Sequence, residues 1–519
     1  MHNAGVSLMA DLLSWPSPCP SPSASLACFW EIASPRTPLA FWELEQQVQL
    51  TAGRVADQIL GHHLSQLHQD PDFVAGAIAQ VRATSPTALV YKGRKRLSVL
   101  LSGGTRVVLE TPYFRPKPEK KPGRKRTHRG PKGVGHYPVL EAVGIRDGVS
   151  PATRSQLALY MVQAGSYQEA IVLLAERGLS VDPSTLSRVA RCTAQADISL
   201  REAALATARA LPIAPKGPLS GQRVRVSIDG GRVRTRQPWK GRKTAKGRHR
   251  FNTPWREPRV LVIDLLDQQG RSAPLRLPLY EVLLDDAEAT FALVLGYLRL
   301  LGAAQAQVVE FIADGADWIW ERAESLRQQA EIPVERWVEV IDFYHASEYL
   351  YATLELCRNL SAPQRQQLYE QLRHTLRTAP RGVTQLIGRL QQEVKTRRGK
   401  KMKTAIAYFE KHAQRMAYTQ LDDQHLPVGS GAVESAVRRI INLRFKAPGT
   451  FWNETTVAGL MHLRACFKAG RWEEMMARVL THTFPPPAFE AFRPEQYQTL
   501  IPLEPGDDPA PERELSKTA

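Results

Sequence analysis

Residues 223–231 read RVRVSIDGG, and this stretch decides the fold. Its valines and isoleucine alternate with polar residues, which predicts a strand with one buried face, and the run ends in Asp229. Residues 308–315, VVEFIADG, form a second apolar run that ends in Asp314. The functional crevice of an open α/β sheet lies at the carboxyl ends of its strands, so we expect the two aspartates at one sheet edge. A glycine follows each aspartate, and we expect its missing Cβ to let a substrate approach closely.

The segments around these two stretches supply the rest of a sheet. Strands are predicted at 260–266, 275–284 and 337–341, and a helix is predicted at 287–301. A second helix follows Asp314. The order strand, strand, strand, helix, strand, helix, strand is that of a ribonuclease H-like core, so we predict an α/β fold with a mixed five-stranded sheet. Such a core needs one more helix to close it.

The closing helix does not follow at once. Residues 343–428 show helical leucine spacing throughout and predict an all-helical insertion, with a basic cluster that includes Lys400 and Lys401. The run GSGAVE at 429–434 begins the next helix that can complete the sheet, and this helix carries Glu434 in its first turn. Glu434, the third acid, is therefore expected at the sheet edge only if the chain returns to the sheet after the insertion.

Asp229, Asp314 and Glu434 would together suit divalent metal chemistry. Carboxylate oxygens are the ligands that Mg²⁺ prefers, with Mn²⁺ as a substitute. Without a cation, three close carboxylates repel one another and raise at least one pKa. Two bound ions activate an attacking oxygen and stabilise a leaving oxygen at phosphorus. Simpler explanations remain open: a hairpin turn at Asp229, a strand exit at Asp314 with Asp317 capping the next helix, and a helix first turn that favours Glu434.

The positive charge of the chain is concentrated in two segments. The 519 residues include 69 Lys and Arg against 51 Asp and Glu, a formal net charge of +18. Residues 115–132 hold nine basic residues and one acid, and residues 232–256 hold ten basic residues and no acid. This distribution is typical of nucleic-acid binders, with a membrane surface or a solubility role as the alternatives. The five scattered cysteines include no CxxC pair, which argues against a zinc cluster or disulfides and fits a reducing cytosol.

Two short helices upstream of the sheet have the spacing of a helix-turn-helix. They are predicted at 167–176 and 183–194, with a glycine-containing turn between them. The second helix would be the recognition helix and would present Ser184, Arg188 and Arg191 to DNA. A structural three-helix bundle is the alternative.

Composition and periodicity divide the chain into eight segments. The predicted segments are a disordered N-terminus at 1–35, a helical segment plus β-hairpin at 36–113, a basic linker at 114–136, a helix-turn-helix-like DNA-binding region at 137–215, the first part of the ribonuclease H-like core at 221–342, the helical insertion at 343–428, the core-completing and C-terminal helices at 429–482, and a disordered tail at 483–519.

Four strings resemble a known family. VSIDGGRV, FIADGADWIW, VIDFYHASEYL and GSGAVESAVRRIINLRFKAPGTFW look like the core of bacterial insertion-sequence transposases of the DDE class, in particular the ISKra type. The resemblance covers about 223–472 and, more loosely, the helices upstream. It implies that Asp229, Asp314 and Glu434, spaced by 85 and 120 residues, are the catalytic metal ligands. It also implies that His345, in a DxxH element, is a catalytic residue that hydrogen-bonds the scissile phosphate, with a structural histidine as the alternative.

The resemblance also sets the expected function and partners. The chain would be a transposase that binds the terminal inverted repeats of an insertion sequence as double-stranded DNA. It would cleave strands and join them to target DNA with two Mg²⁺, acting in the bacterial cytoplasm at the nucleoid as a homo-oligomer of at least two copies. The alternatives are an inactive or domesticated DNA-binding descendant and a metal-dependent nuclease without strand transfer. The residues expected to contact DNA are Arg124, Lys125, Arg126, Arg129, Ser184, Arg188, Arg191, Lys240, Arg242, Lys243, Lys246, Arg248, Lys400, Lys401, Arg444, Lys446 and Trp452.

Overall fold

A computed structural model describes most of the chain between positions 34 and 483. The described residues are 29–30, 34–117, 135–213, 216–239, 241–245, 247, 249–273, 278–357, 360–393 and 400–483. The predictions of disorder at 1–35 and 483–519 fall almost wholly outside these residues, as does most of the predicted basic linker.

The described residues form helices and strands in the following order. The elements are α1 Pro38–Gln69, α2 Pro71–Thr84, β1 Leu89–Leu100, β2 Arg106–Pro116, α3 Pro138–Ala142, α4 Pro151–Gln163, α5 Tyr167–Glu176, α6 Pro183–Ala210, β3 Arg223–Gly230, β4 Val233–Arg234, β5 Gln237–Pro238, β6 Phe251–Asn252, β7 Trp255–Arg256, β8 Arg259–Leu266, β9 Leu279–Leu283, α7 Ala287–Leu300, β10 Val308–Ala313, α8 Asp317–Gln329, β11 Trp337–Ile341, α9 Phe343–Leu354, α10 Ala362–Thr378, α11 Gly382–Glu393, α12 Lys400–Lys411, α13 Tyr418–Asp423, α14 Gly431–Val437, α15 Leu443–Phe445, α16 Glu454–Lys468 and α17 Trp472–Thr483.

The central sheet has five strands in the order β11-β10-β3-β8-β9. Strands β3, β10 and β11 are parallel, and β8 is antiparallel to both of its neighbours. The prediction of a mixed five-stranded sheet within an α/β fold is confirmed. The third predicted strand, at 275–284, is observed as β9 from Leu279 to Leu283, and residues 274–277 lie outside the described part.

One face of the sheet is covered by two helices. Val224, Val226 and Ile228 alternate along β3 and are buried in the same apolar cluster as Phe291 of α7 and Trp320 of α8. Their alternation places the intervening residues of β3, which end in Asp229, on the opposite face. Hydrophobic burial on the first face therefore fixes the side on which the acid emerges.

Helix α6 is much longer than the sequence predicts, ending at Ala210 rather than at residue 194. Its second half packs on the sheet, where Arg201 pairs with Glu281 of β9 at 2.7 Å. Near its end, Arg209 donates a hydrogen bond to the carbonyl of Ala292 in α7 at 2.9 Å. These tertiary contacts extend the helix past the point where its local pattern weakens. One continuous helix thus connects the upstream helices to the sheet.

The insertion after β11 is helical, as expected, and it contacts the edge of the sheet. The hydroxyl of Tyr418 donates a hydrogen bond to the carbonyl of Ile341 at 3.0 Å, and Arg415 pairs with Glu339 at 2.6 Å. The insertion is therefore held on the sheet by its contacts with β11.

None of the described helices combines the length and apolar character that crossing a membrane requires.

A basic β-ribbon extends from the central hairpin. Beyond Gly230, strand β4 pairs with β7 and β5 pairs with β6, so β3 and β8 continue outward as two paired strands. The N–H of Gly231 donates to the carbonyl of Pro258 at 2.8 Å and keeps the two chains together. The tight turn that is the alternative explanation for Asp229 is therefore wrong. We refer to residues 233–256 as the basic ribbon.

Candidate functional site

Three aspartates end three neighbouring parallel strands at the same level. The last paired residues are Ile228 of β3, Ala313 of β10 and Ile341 of β11. The next residues along the strands are Asp229, Asp314 and Asp342. The N–H of Asp342 donates to the carbonyl of Ala313 at 2.9 Å, which continues the ladder by one step. The parallel register therefore aligns three carboxylates along one sheet edge.

Asp229 is influenced by the other charged groups of the site. Its pKa is raised to about 6, chiefly by burial and to a smaller extent by the carboxylates of Asp314 and Glu434. A hydrogen bond from the N–H of Gly230, at 2.6 Å, and the nearby His345 oppose this rise. The other two predicted acids and the predicted histidine therefore lie near enough to Asp229 to influence its charge, although they come from distant parts of the chain.

Asp314 is oriented by the first turn after its strand. Its Oδ1 accepts the N–H of Ala316 at 3.0 Å, and its carbonyl accepts the indole N–H of Trp320 at 2.7 Å. Asp317 does not cap α8, because the cap position is Ala316 and Asp317 instead pairs with Lys411 at 2.7 Å. The predicted capping by Asp317 is therefore wrong, whereas Asp314 does lie at the exit of β10.

Asp342 is the acid of the DxxH element, for which the sequence predicted a role only at His345. It is fully buried, and its Oδ1 caps α9 by accepting the N–H of His345 at 2.8 Å. Its Oδ2 accepts the N–H of Ser430, which immediately precedes α14. The available signal was positional, since Asp342 follows β11 exactly as Asp314 follows β10.

Glu434 reaches the site from the first turn of α14. Val433, Ala436 and Val437 are buried and hold this helix against the sheet, whereas Glu434 is exposed. The hydroxyl of Ser430 donates to its Oε1 at 3.3 Å. A π-helical turn at 438–442 follows, and such irregular turns often accompany functional sites.

Two groups of side chains among the described residues are close enough to hold a metal ion. Ligand atoms of Asp342, His345 and Glu434 all lie within 4.8 Å of one another, as do those of the buried Asp197, His462 and Cys466. Asp229 and Asp314 are not members of the first group, although the charges of Asp314 and Glu434 both act on Asp229. The first group combines oxygen ligands with one imidazole, and a cation there would offset the like charges that add to the effect of burial on the pKa of Asp229.

The glycines after the aspartates are closely packed against protein side chains. A Cβ on Gly230 would lie 2.6 Å from Oε1 of Glu257, and a Cβ on Gly315 would meet the ring of Tyr408. Burial, together with the charge of Asp314, raises the pKa of the Tyr408 hydroxyl. Tyr408 belongs to α12, so the insertion forms a wall of the site beside Asp314, and close approach of a substrate at these glycines stays a prediction.

The basic ribbon is an exposed cationic surface on the hairpin that carries Asp229. Arg242 and Lys243 are exposed at its tip, as a DNA contact requires. Aromatic side chains lie beneath its cations, with Arg234 over Trp255 at 4.8 Å and Arg236 over Phe251 at 4.9 Å. The other predicted contacts of this segment, Lys240, Lys246 and Arg248, lie outside the described residues.

Two residues predicted to contact DNA are instead part of the core. Arg444 is 3% exposed, and burial lowers its pKa to about 10. It donates to the carbonyl of Gly165 at 2.8 Å and lies over the ring of Trp452. Trp452 is 5% exposed and donates its indole N–H to the carbonyl of Phe445 at 3.2 Å. Both predictions are wrong, because burial removes these side chains from DNA.

The remaining predicted contacts differ in their exposure. Lys401, Lys446 and Arg191 are exposed. Arg188 pairs with Asp147 at 2.6 Å, and the hydroxyl of Ser184 donates to the capping Asp182, so both already have partners within the protein. Residues outside the described part are Arg124, Lys125, Arg126 and Arg129, together with the side chain of Lys400.

Comparison with known proteins returns no match. No protein-family model, curated protein or solved structure matches the chain at a significant level. The functional argument therefore depends on the geometry and charge of the chain itself.

Proposed function

We propose that this protein is a DDE transposase with a ribonuclease H-like core, which cleaves DNA strands and joins them to target DNA. The observation that carries the proposal is that Asp229 and Asp314 end neighbouring parallel strands at one sheet edge, with Glu434 near enough to raise the pKa of Asp229. These residues are separated by 85 and 120 positions, and they meet beside a basic ribbon. Strand order also supports the core, with an antiparallel pair, β8 and β9, on one side of three parallel strands.

The carboxylates fit a pair of Mg²⁺ ions, with Mn²⁺ as a substitute. Asp229, Asp314 and Glu434 would hold them, with Asp342 and His345 adjoining. When bound, such ions supply Lewis-acid activation of the attacking oxygen and stabilisation of the leaving oxygen at phosphorus. We assign the ions to the carboxylates because a cation offsets the charges of Asp314 and Glu434, which add to the effect of burial in raising the pKa of Asp229.

The other groups around the site bind and orient DNA. His345 is partly exposed and donates a hydrogen bond to a phosphate oxygen when the scissile strand is bound. The basic ribbon, which leaves the sheet directly after Asp229, neutralises backbone phosphates along the path to the site. The same residues serve two in-line displacements, in which water and then the liberated 3′-hydroxyl attack phosphorus. Two DNA ends must be held together, so the active form contains at least two copies of the chain.

Strand cleavage and joining on duplexes that carry the DNA flanking the coding region test this proposal. Asp229→Asn, Asp314→Asn and Glu434→Gln are each expected to abolish both steps in Mg²⁺ while leaving DNA binding intact. Asp317→Asn is the matched control, because Asp317 is an exposed acid three positions from Asp314 that pairs only with Lys411 among the described residues.

The products distinguish the competing functions. Cleavage without joining would identify a nuclease, and binding without either step would identify a DNA-binding descendant. Full activity in any one of the three variants would remove that residue from the proposed metal site.

A further inference from the structure

A cavity lies between the basic ribbon and the loop that follows α15. Its volume is about 300 Å³. Arg234 and Trp255 line it from the ribbon, and Phe445, Lys446 and residues 447–450 line it from the other side. The ribbon begins directly after Asp229, and α15 ends the helical segment that starts with Glu434. Both walls therefore continue from elements that carry the proposed metal ligands.

The two walls are fixed to each other by backbone hydrogen bonds. The N–H of Trp452 donates to the carbonyl of Arg234 at 3.0 Å, and the N–H of Arg236 donates to the carbonyl of Trp452 at 2.7 Å. The rings of Phe251 and Phe451 pack with their centroids 6.0 Å apart. The buried Trp452 thus forms part of a rigid connection beneath the cavity, and the cavity is present before any ligand arrives.

The lining combines an aromatic face with positive charge. Trp255 is 49% exposed, and the guanidinium of Arg234 lies over its ring. Nε of Arg234 is buried and has no hydrogen-bond partner among the described residues. Lys446 is exposed at the rim, and the lining contains no acidic residue. A ligand with a planar ring, hydrogen-bond acceptors and a negative charge matches these groups.

A single nucleotide has these properties. Every base offers a π face for stacking on an aromatic side chain, and its phosphate pairs with arginine or lysine. About 300 Å³ is at the lower limit of small-molecule sites, which suits one base and not a stacked duplex. The base therefore has to leave the stack to enter, as bases do in enzymes that extrude a nucleotide.

We propose that this cavity binds one unstacked base at the DNA end that is being processed, with Trp255 as the stacking surface and Arg234 and Lys446 as the polar contacts. This inference rests on the proposed function, because the base is supplied by DNA held at the carboxylate site. Extruding a base next to the cleavage position would anchor the DNA end and hold its backbone beside Asp229.

The test measures binding without catalysis. Duplexes of mixed sequence with two unpaired nucleotides at one end carry 2-aminopurine at the terminal position, and EDTA removes metal. The wild-type protein is expected to quench the 2-aminopurine and to prefer this duplex over a blunt one. Trp255→Ala is expected to lose the quenching and to weaken binding of the unpaired end by roughly 5- to 100-fold, because stacking contributes about 1–3 kcal/mol per base.

Trp239→Ala is the matched control. Trp239 is 53% exposed on the same ribbon but does not line the cavity, so this variant should quench like the wild type. Lys446→Gln, at an exposed position, should reduce the preference for unpaired ends, whereas Lys216→Gln, at an exposed position before β3, should not. Equal quenching by wild type and Trp255→Ala, or equal losses in both tryptophan variants, would overturn the proposal.

These outcomes are separable from the outcome for the proposed function. Loss of quenching specific to Trp255→Ala supports the base site even if no cleavage is observed. If DNA cleavage is normal and Trp255→Ala has no effect in the quenching assay, the base site is rejected. The transposase proposal then stays in place.

Discussion

The carboxylate of Asp342 accepts the backbone N–H of Ser430, although the two residues are 88 positions apart. Its other oxygen accepts the N–H of His345 at 2.8 Å. One buried carboxylate therefore holds both the point where the chain leaves the sheet for the insertion and the point where it returns. Because Glu434 lies one helical turn after Ser430, this contact also positions the third acid of the proposed metal site.

Replacing Asp342 with alanine is expected to lower both stability and DNA cleavage. The change removes a helix cap and leaves two backbone N–H groups without their acceptor, and each loss costs about 1–2 kcal/mol. Urea unfolding measures the stability, and Mg²⁺-dependent cleavage by the folded fraction measures the displacement of Glu434 and His345.

The control for this variant is Asp286→Ala. Asp286 caps α7 by accepting the N–H of Ala289 at 2.9 Å, so its loss removes a cap remote from the carboxylates. We expect a cost of about 1 kcal/mol and an unchanged cleavage rate. Wild-type cleavage by folded Asp342→Ala would show that Asp342 does not position the site.

Asp229 is expected to make stability without metal depend on pH. Its pKa is raised by burial from 3.8 to about 6, so the folded state holds a proton that the unfolded state has lost. Its contribution to stability is fully present below about pH 3.8 and is lost as pH rises through about 6. Asp229→Asn should therefore raise the unfolding temperature in EDTA at pH 7 and change it little near pH 3.5.

Mg²⁺ provides the second half of this test. A bound cation offsets the charge of Asp229, so adding Mg²⁺ at pH 7 should raise the unfolding temperature of the wild type more than that of Asp229→Asn. Equal Mg²⁺ effects on both proteins would contradict the assignment of Asp229 as a metal ligand.

The cations at the tip of the basic ribbon are expected to set the salt dependence of DNA binding. Each phosphate neutralised contributes about 0.9 to the slope of log affinity against log salt concentration. If Arg242 and Lys243 each contact one phosphate, the double change to glutamine should reduce that slope by about 1.8. Titrations of duplex DNA from about 50 to 200 mM salt measure it. Arg271→Gln, which removes an exposed arginine paired with Asp267 at 2.9 Å, should leave the slope unchanged.

The sequence was sufficient to predict the strands of the sheet, but not all of the helices and side chains that surround it. Alternation in β3 and the apolar run of β10 report burial directly, so the strands and the positions of Asp229 and Asp314 could be predicted. The insertion places Glu434 far from the strands of the sheet in the sequence. Only the family resemblance identified Glu434 as a site residue. The burial of Arg444 and Trp452 depends on contacts with distant residues, including Gly165, which no local pattern reports. For the same reason the end of α6 was predicted too early.

Glu310 offers a test of the sheet itself. It lies on β10 beside Arg225 of β3, is fully buried, and neither carboxylate oxygen has a hydrogen-bond partner among the described residues. Burial raises its pKa from 4.5 to about 8. The folded state therefore holds the proton more tightly than the unfolded state, and the resulting stability is present below about pH 4.5 and lost as pH rises to about 8.

Glu310→Gln keeps the shape of the side chain and removes its ionisation, so the variant should match the wild type near pH 4.5 and become progressively more stable above it. The advantage should grow by up to about 1.4 kcal/mol per pH unit within that window, because one proton is involved. Urea unfolding at pH 5, 6.5 and 8 measures it, with the exposed Glu335→Gln as the control that shows no such trend. A constant difference across this range would mean that Glu310 is ionised in the folded protein, with Arg225 compensating its charge.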